Sequence, residues 1–270
     1  MRSLAACLAG LAGLLLFAES GTAKNRGADG NFEKRVSSHF VLFQDVDIDR
    51  TSGFHGSRRF ENEVLETLES AYDALDDSLG LRPPRRIEVR VWDPGIFDRE
   101  FAGLFRFSAA GFYSGTIHIR GDTKLRASLV RTLHHELVHA AWDGEAPSLV
   151  LPAWLNEGLA EWFEARAVGK RRLSPGEAGA MVELADRGLV GSLWAPGATS
   201  FARLEPEVAQ LAYLQAYAFI EFLARRHGED SLRRLSKTLV RKRNVERAFS
   251  VTFGANLDDL TERFTSEYGS

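Results

Sequence analysis

The residues with the clearest chemical potential are the five at positions 135–139, which read His-Glu-Leu-Val-His. On a helix, His135 and His139 lie one turn apart and about 40° apart around the axis, so both imidazoles can reach one metal ion. Glu136 projects beside them, where a carboxylate can accept a proton from a metal-bound water instead of ligating the metal. The pattern therefore predicts a metal centre with its own general base.

A second group of acidic residues follows on the next predicted helix. Glu157 and Glu161 are four residues apart, so their carboxylates share one helix face. A catalytic zinc site uses three protein ligands and keeps one position open for water. One of these carboxylates can be the third ligand, while the other accepts a hydrogen bond from a ligand imidazole and fixes its tautomer.

The two motifs together resemble those of the gluzincin metallopeptidases. The likeness is strongest to the small secreted group called peptidase MA-like, whose W-L-x-E-G-x-A-E signature matches residues 154–161. This resemblance implies one Zn²⁺ per chain, bound by His135, His139 and Glu157, with Glu136 as the general base. It also implies that Glu161 is the acidic residue that supports a metal ligand from behind.

The resemblance has two further implications for the site. Related larger enzymes carry a tyrosine on a later helix that stabilises the oxyanion; Tyr213 is the expected equivalent, with Tyr217 one turn away as the alternative. Residues 111–120, which begin at Gly111 and end at Arg120, would form the strand beside the cleft. Such an edge can pair with the extended backbone of a peptide or protein substrate.

Hydrophobic periodicity predicts the elements that must position these residues. Strands are expected at 39–43, 87–92 and 111–120, with a helix at 57–79 after the first of them. The chain then becomes mostly helical, with helices expected at 123–141, 152–168, 175–187, 205–227, 230–242 and 257–268. This layout predicts an α+β, zincin-like fold: a small N-terminal β-sheet lobe with the active-site helix, followed by a mostly helical C-terminal lobe.

The N-terminal residues differ in composition from the rest and predict a signal peptide at 1–23. A positive Met1-Arg2 start precedes an apolar run over 4–18, which is shorter than the roughly 20 residues that a spanning helix needs. We expect a polar segment at 24–38 and a single catalytic domain at 39–270, with the sheet lobe ending at 141 and the helical lobe beginning at 142. The mature protein would be secreted or periplasmic, with no stable membrane insertion.

Cysteine use and charge exclude several classes of partner and site. Cys7 is the only cysteine, and it precedes the apolar run that a lipobox cysteine would close, so lipoprotein anchoring is not expected. Any metal in the mature chain must then be held by histidines and carboxylates. The chain has 34 basic and 37 acidic residues, a net charge of −3, which gives no basic field for a nucleic acid.

These observations predict a secreted or periplasmic zinc-dependent peptidase that uses a metal-activated water. Two alternatives keep the same site: an amidase that acts on cell-wall peptides, and a catalytically silent metal-binding or interaction module of the same fold. The intact Glu136 and the lack of a fourth ligand at helical spacing favour catalysis over the silent module. The sequence pattern is compatible with action on chain ends and with action on internal bonds.

Overall fold

A computed structural model describes residues 32–45, 58–104, 109–122, 124–191 and 199–268. Its sheet has five strands in the spatial order β1-β2-β3-β5-β4. The strands are β1 (Phe32–Val36), β2 (Phe40–Asp45), β3 (Ile87–Trp92), β4 (Gly111–Tyr113) and β5 (Ile117–Arg120). The central strands β2, β3 and β5 are parallel, and the two edge strands β1 and β4 pair antiparallel with their neighbours.

Helices make up most of the remaining described chain. They are α1 (Arg58–Leu79), α2 (Pro94–Glu100), α3 (Ala127–Glu145), α4 (Ala153–Ala167), α5 (Pro175–Asp186), α6 (Pro206–His227), α7 (Asp230–Lys242), α8 (Val245–Phe253) and α9 (Leu257–Tyr268). The prediction of a mixed α and β chain with a small sheet is thereby confirmed. Helices α1 and α2 lie between the strands, and α3 to α9 follow the sheet. In the part of the chain that the structure describes, no helix is both long and apolar enough to cross a bilayer.

The sheet begins earlier than the sequence predicts. Strand β1 lies inside the segment 24–38, which was expected to be a polar extension ahead of the domain, and it pairs along its whole length with β2. Three of the five residues in its sequence, Phe-Glu-Lys-Arg-Val, are charged, which is typical of an edge strand, and Val36 is 53% exposed. The predicted signal peptide at 1–23 lies outside the described residues.

The strand expected over 111–120 is two strands joined by a tight turn. The turn over Ser114, Gly115 and Thr116 separates β4 from β5, and its centre is in the left-handed region, with φ of 78° at Gly115. A residue without a Cβ adopts this conformation at little cost. The reversal places the three-residue strand β4 at the edge of the sheet, next to β5.

The two predicted lobes share one core. Buried apolar side chains form a continuous cluster from β2 and β3 through α1 and α3 to α4, α6 and α7. The boundary predicted between 141 and 142 falls inside α3, which continues to Glu145. The short helix α8 was also not predicted; Asn244 caps its start through a hydrogen bond from the Arg247 backbone.

Two glycines set the spacing of the elements around the site. A Cβ on Gly158 of α4 would lie 2.7 Å from the Ala216 carbonyl oxygen on α6, so these helices pack in direct backbone contact. A Cβ on Gly111 of β4 would lie 2.9 Å from the Thr132 side chain on α3. The first glycine therefore allows α6 to approach α4, and the second allows the edge strand to approach α3.

Candidate metal centre

Helices α3 and α4 bring the three predicted ligands together. The Nε2 atoms of His135 and His139 lie 3.2 Å and 3.5 Å from the same carboxylate oxygen, Oε2 of Glu157. The ligand atoms of the three residues all lie within 4.8 Å of one another. Such a set of two imidazoles and one carboxylate could hold a metal ion.

The electrostatics of this group favour a positive charge at its centre. Burial alone would lower the pKa of His135, but hydrogen bonds with Glu157 and Glu164 outweigh it and raise that pKa well above the usual range. Burial alone would raise the pKa of Glu157, but the two histidines hold it well below the ordinary value. A group that stabilises imidazolium against a buried carboxylate also suits a cation, so its donor chemistry fits a divalent metal.

Each histidine is held through its other ring nitrogen. The Nδ1–H of His139 donates to the side-chain oxygen of Asn156 at 3.1 Å. The Nδ1 of His135 lies 3.3 Å from Oε2 of Glu164 and 3.9 Å from Oε1 of Glu161. These contacts hold both rings with Nε2 toward Glu157. A proton on Nδ1 leaves the lone pair of Nε2 available, and this is the tautomer that metal ligation through Nε2 requires.

Glu164 makes the shorter of these two carboxylate contacts with His135, and it was not among the predicted site residues. Glu164 is almost fully buried and receives two hydrogen bonds from Arg131, one of them from Nε at 2.9 Å. Its position seven residues after Glu157 on α4 puts it on the same helix face, and this spacing was the available signal. Together with His135 and Glu161 it also forms a second group of possible ligand atoms.

Glu161 lies in the same pocket in a different electrostatic state. Burial first, and then the nearby charge of Glu164, raise the pKa of Glu161 to about 7. The pKa of Glu164 itself is lowered: the contacts with His135 and Arg131 outweigh the effect of burial. Of these two carboxylates, Glu164 therefore holds the negative charge that faces His135.

Glu136 is buried beside the three candidate ligands and lies outside both groups of possible ligand atoms. Its residue is 8% exposed, and burial raises the pKa of its carboxyl despite the opposing charges of His135 and His139. A carboxylate with a raised pKa and access to a cavity suits a proton acceptor. Glu136 is thus separate from the candidate ligands.

The two candidate tyrosines differ in their surroundings. The Tyr213 ring centroid is 6.5 Å from that of His135, and burial and then the charge of Glu157 raise the pKa of its hydroxyl far above the ordinary value. The Tyr217 ring is covered by the Lys170 ammonium at 4.4 Å, and only 3% of the residue is exposed. Tyr213 is thus the one beside the ligand group.

A cavity of about 570 Å³ opens over this group of residues. All three candidate ligands line it, and so do Glu136, both tyrosines and the three residues of β4. Two other histidines have partners elsewhere: His134 Nδ1–H donates to the Val130 carbonyl at 2.8 Å, and His118 accepts from Trp92 Nε1 at 3.0 Å. The described metal-ligating geometry therefore centres on α3 and α4.

The chain was compared with protein families and with curated proteins. No protein-family model matches the chain, and a search of curated proteins finds no match either.

Proposed function

We propose that this chain is a zinc-dependent peptidase that hydrolyses peptide bonds at the centre formed by α3 and α4. The observation that carries the proposal is the convergence of His135 Nε2, His139 Nε2 and Glu157 Oε2 beneath a cavity that Glu136 also lines. Three protein ligands with an accessible open side are typical of catalytic zinc sites, whereas structural sites are closed by four.

Zinc bound by these three residues would act as a Lewis acid on a carbonyl and lower the pKa of a water molecule. Glu136 accepts a proton from the attacking water and returns it to the leaving amine, which its buried position and raised pKa support. Tyr213 stays protonated at neutral pH because its pKa is raised, so it can donate a hydrogen bond to the oxygen that becomes negative.

The proposal also includes a substrate-binding edge and a location for the enzyme. Strand β4, which contributes Gly111 and Tyr113 to the cavity, is the proposed binding edge for an extended peptide. Secretion or export to the periplasm is also a proposal, because its basis is the predicted signal peptide. An amidase that acts on cell-wall peptides would use the same centre, and a substrate screen separates the two.

Metal content and activity of three forms of the chain test this function. Purified wild type and Glu136→Gln should each hold about one zinc, and Glu157→Ala should lose most of it. Glu136→Gln should reduce peptide hydrolysis by about 10²–10⁴-fold, because the carboxamide cannot accept the proton. Full activity in Glu136→Gln, or no zinc in wild type reconstituted with the metal, would contradict the proposal.

A further inference from the structure

Basic side chains are concentrated where α7 ends and α8 begins. Residues 241–247 include four basic side chains and one acidic one, which gives a net charge of +3 in a chain whose total is −3. Arg241, Lys242 and Arg247 are exposed, and none of them forms an ion pair with another described residue. By contrast, many other arginines of the described chain pair with a carboxylate. This stretch therefore presents positive charge that neighbouring carboxylates do not neutralise.

The basic stretch is joined to the loop before α4. Arg243 donates a hydrogen bond from Nη1 to the Oγ atom of Ser148 in that loop. Arg243 also ends α7 in the left-handed region, with φ of 51°, where glycine or asparagine is usual. The helix cap therefore gives no reason for an arginine, whereas the contact with Ser148 does. The ring centroids of Trp154 and Phe249 lie 5.8 Å apart, so α8 also contacts the start of α4.

Two exposed apolar side chains belong to the same segments. Val150, two residues after Ser148, is 69% exposed, and Val251 of α8 is 56% exposed. Val251 follows Arg247 by one helical turn, so both project from the same exposed face of α8. The surface thus combines unpaired positive charge with exposed apolar groups. We call it the basic face, and its residues are Arg241, Lys242, Arg243, Arg247, Val150 and Val251.

This combination matches the chemistry of an anionic lipid surface. Lysine and arginine side chains are attracted to negatively charged headgroups, and the attraction decreases as the salt concentration rises. Exposed apolar side chains gain free energy when they leave water for the boundary between headgroups and acyl chains. A soluble acidic ligand would neutralise the charge of the basic face but would leave Val150 and Val251 in water. The chemistry of the face therefore favours a lipid surface over such a ligand.

We propose that the basic face docks this protein peripherally on bilayers that contain anionic lipids. The loop before α4 also carries Leu149, which lines a cavity of about 330 Å³ together with His139. Docking through this loop therefore brings one side of the candidate metal centre close to the bilayer. The inference goes beyond the proposed peptidase function and does not depend on it, because lipid binding requires neither a metal nor turnover.

Co-sedimentation of the full chain with lipid vesicles tests the proposal. One set of vesicles contains phosphatidylcholine and phosphatidylglycerol in equal parts, and the other contains phosphatidylcholine alone. Wild type should bind the anionic vesicles at least about tenfold more strongly, and this preference should disappear at about 1 M salt. The apolar run over 4–18 is the same in every variant, so any attachment through it cancels when variants are compared.

Two pairs of charge-removing substitutions locate the binding surface. Arg241→Gln combined with Lys242→Gln should lower the preference for anionic vesicles about tenfold. The matched control is Arg171→Gln combined with Arg172→Gln, which removes the same charge from two exposed adjacent residues. These follow the opposite end of α4, whose 15 residues span about 22 Å. That distance exceeds the Debye length of about 8 Å at physiological ionic strength, so the control should change the preference less than about twofold.

A second pair of variants tests the apolar contact without a change of charge. Val150→Ser should weaken binding to anionic vesicles about two- to fivefold, because less apolar surface leaves the water. Val182→Ser is its control, since Val182 is 41% exposed on α5, outside the basic face, and should bind as wild type does. No effect of Val150→Ser would contradict the apolar contact.

Three outcomes would overturn docking on anionic lipid. Equal binding of wild type to both kinds of vesicle would show that lipid charge is not recognised. Equal losses in the Arg241/Lys242 and Arg171/Arg172 variants would show an effect of net charge and not of the basic face. Binding of wild type to a fluorescent oligoglutamate peptide, without binding to anionic vesicles, would assign the face to an acidic protein partner.

Discussion

Replacement of Glu164 by glutamine should weaken metal binding more than the same change at Glu161. Glu164 lies 3.3 Å from Nδ1 of His135, and its side chain is only 7% exposed, so its negative charge acts on the imidazole with little screening by water. Loss of that charge makes His135 a weaker base and leaves Arg131 without its anionic partner. Loss of such a contact behind a metal ligand typically costs about 10–100-fold in affinity, which is about 1.4–2.7 kcal/mol.

The measurement is a competition titration in which a chromogenic chelator removes zinc from wild type and from each variant. Glu161→Gln is the matched control because it makes the same chemical change three residues earlier on α4. The nearest Glu161 oxygen is 3.9 Å from Nδ1 of His135, beyond hydrogen-bond distance, so this variant should lose less than about tenfold in affinity.

Thermal unfolding of the metal-free variants checks that both are folded before affinities are compared. A larger loss of zinc affinity in Glu161→Gln than in Glu164→Gln would refute the assignment, because it would mean that the shorter contact is not the one that supports the ligand. Equal, small losses of zinc affinity would show that neither carboxylate affects the basicity of His135.

Gly158→Ala should destabilise the fold by about 1–3 kcal/mol in urea unfolding, because the new Cβ would lie 2.7 Å from a carbonyl oxygen of α6. Gly179→Ala, with no atom within 4 Å of its Cβ on the exposed face of α5, should stabilise by at most about 1 kcal/mol. Burial first, and then the charge of Arg90, lower the pKa of His118 from 6.5 to about 4. Between these values the unfolded chain binds a proton at His118 and the folded chain does not, so the unfolding free energy is at its full value above pH 6.5 and falls as the pH drops toward 4. Over that range, the unfolding free energy of metal-free wild type should fall on the order of 3 kcal/mol more than that of His118→Gln. Tyr213→Phe should lower kcat about 10²–10³-fold at unchanged zinc content, and Tyr217→Phe should have a smaller effect.

Each of these expectations has a clear contrary result. Equal stability of the Gly158 and Gly179 variants would mean that α4 and α6 are not in backbone contact. Parallel pH profiles for wild type and His118→Gln would show that this histidine titrates normally in the folded state. A larger loss of kcat in Tyr217→Phe than in Tyr213→Phe would exchange the roles of the two tyrosines.

The long helices and the buried strands were predictable from sequence, whereas an exposed edge strand and a tight turn were not. The helix expected at 57–79 is α1, and the strand expected at 87–92 is β3 with the same bounds. Strand β1 was missed because an edge strand exposes charged side chains and lacks the apolar alternation of a buried one. The 111–120 hairpin was missed because the turn at Gly115 depends on a left-handed backbone that flanking apolar residues do not reveal.

Sequence alone determined which residues can meet on one helix face. With 3.6 residues per turn, one helix face carries both His135 and His139, and another carries Glu157, Glu161 and Glu164. This arrangement holds wherever the two helices lie. Tertiary structure decided which of these faces touch, since distances between helices depend on how α3, α4 and α6 pack. That packing gives Glu164 and not Glu161 the shorter contact with His135 and places Tyr213 beside the centre. Helical periodicity fixes directions within one element but not the gaps between elements.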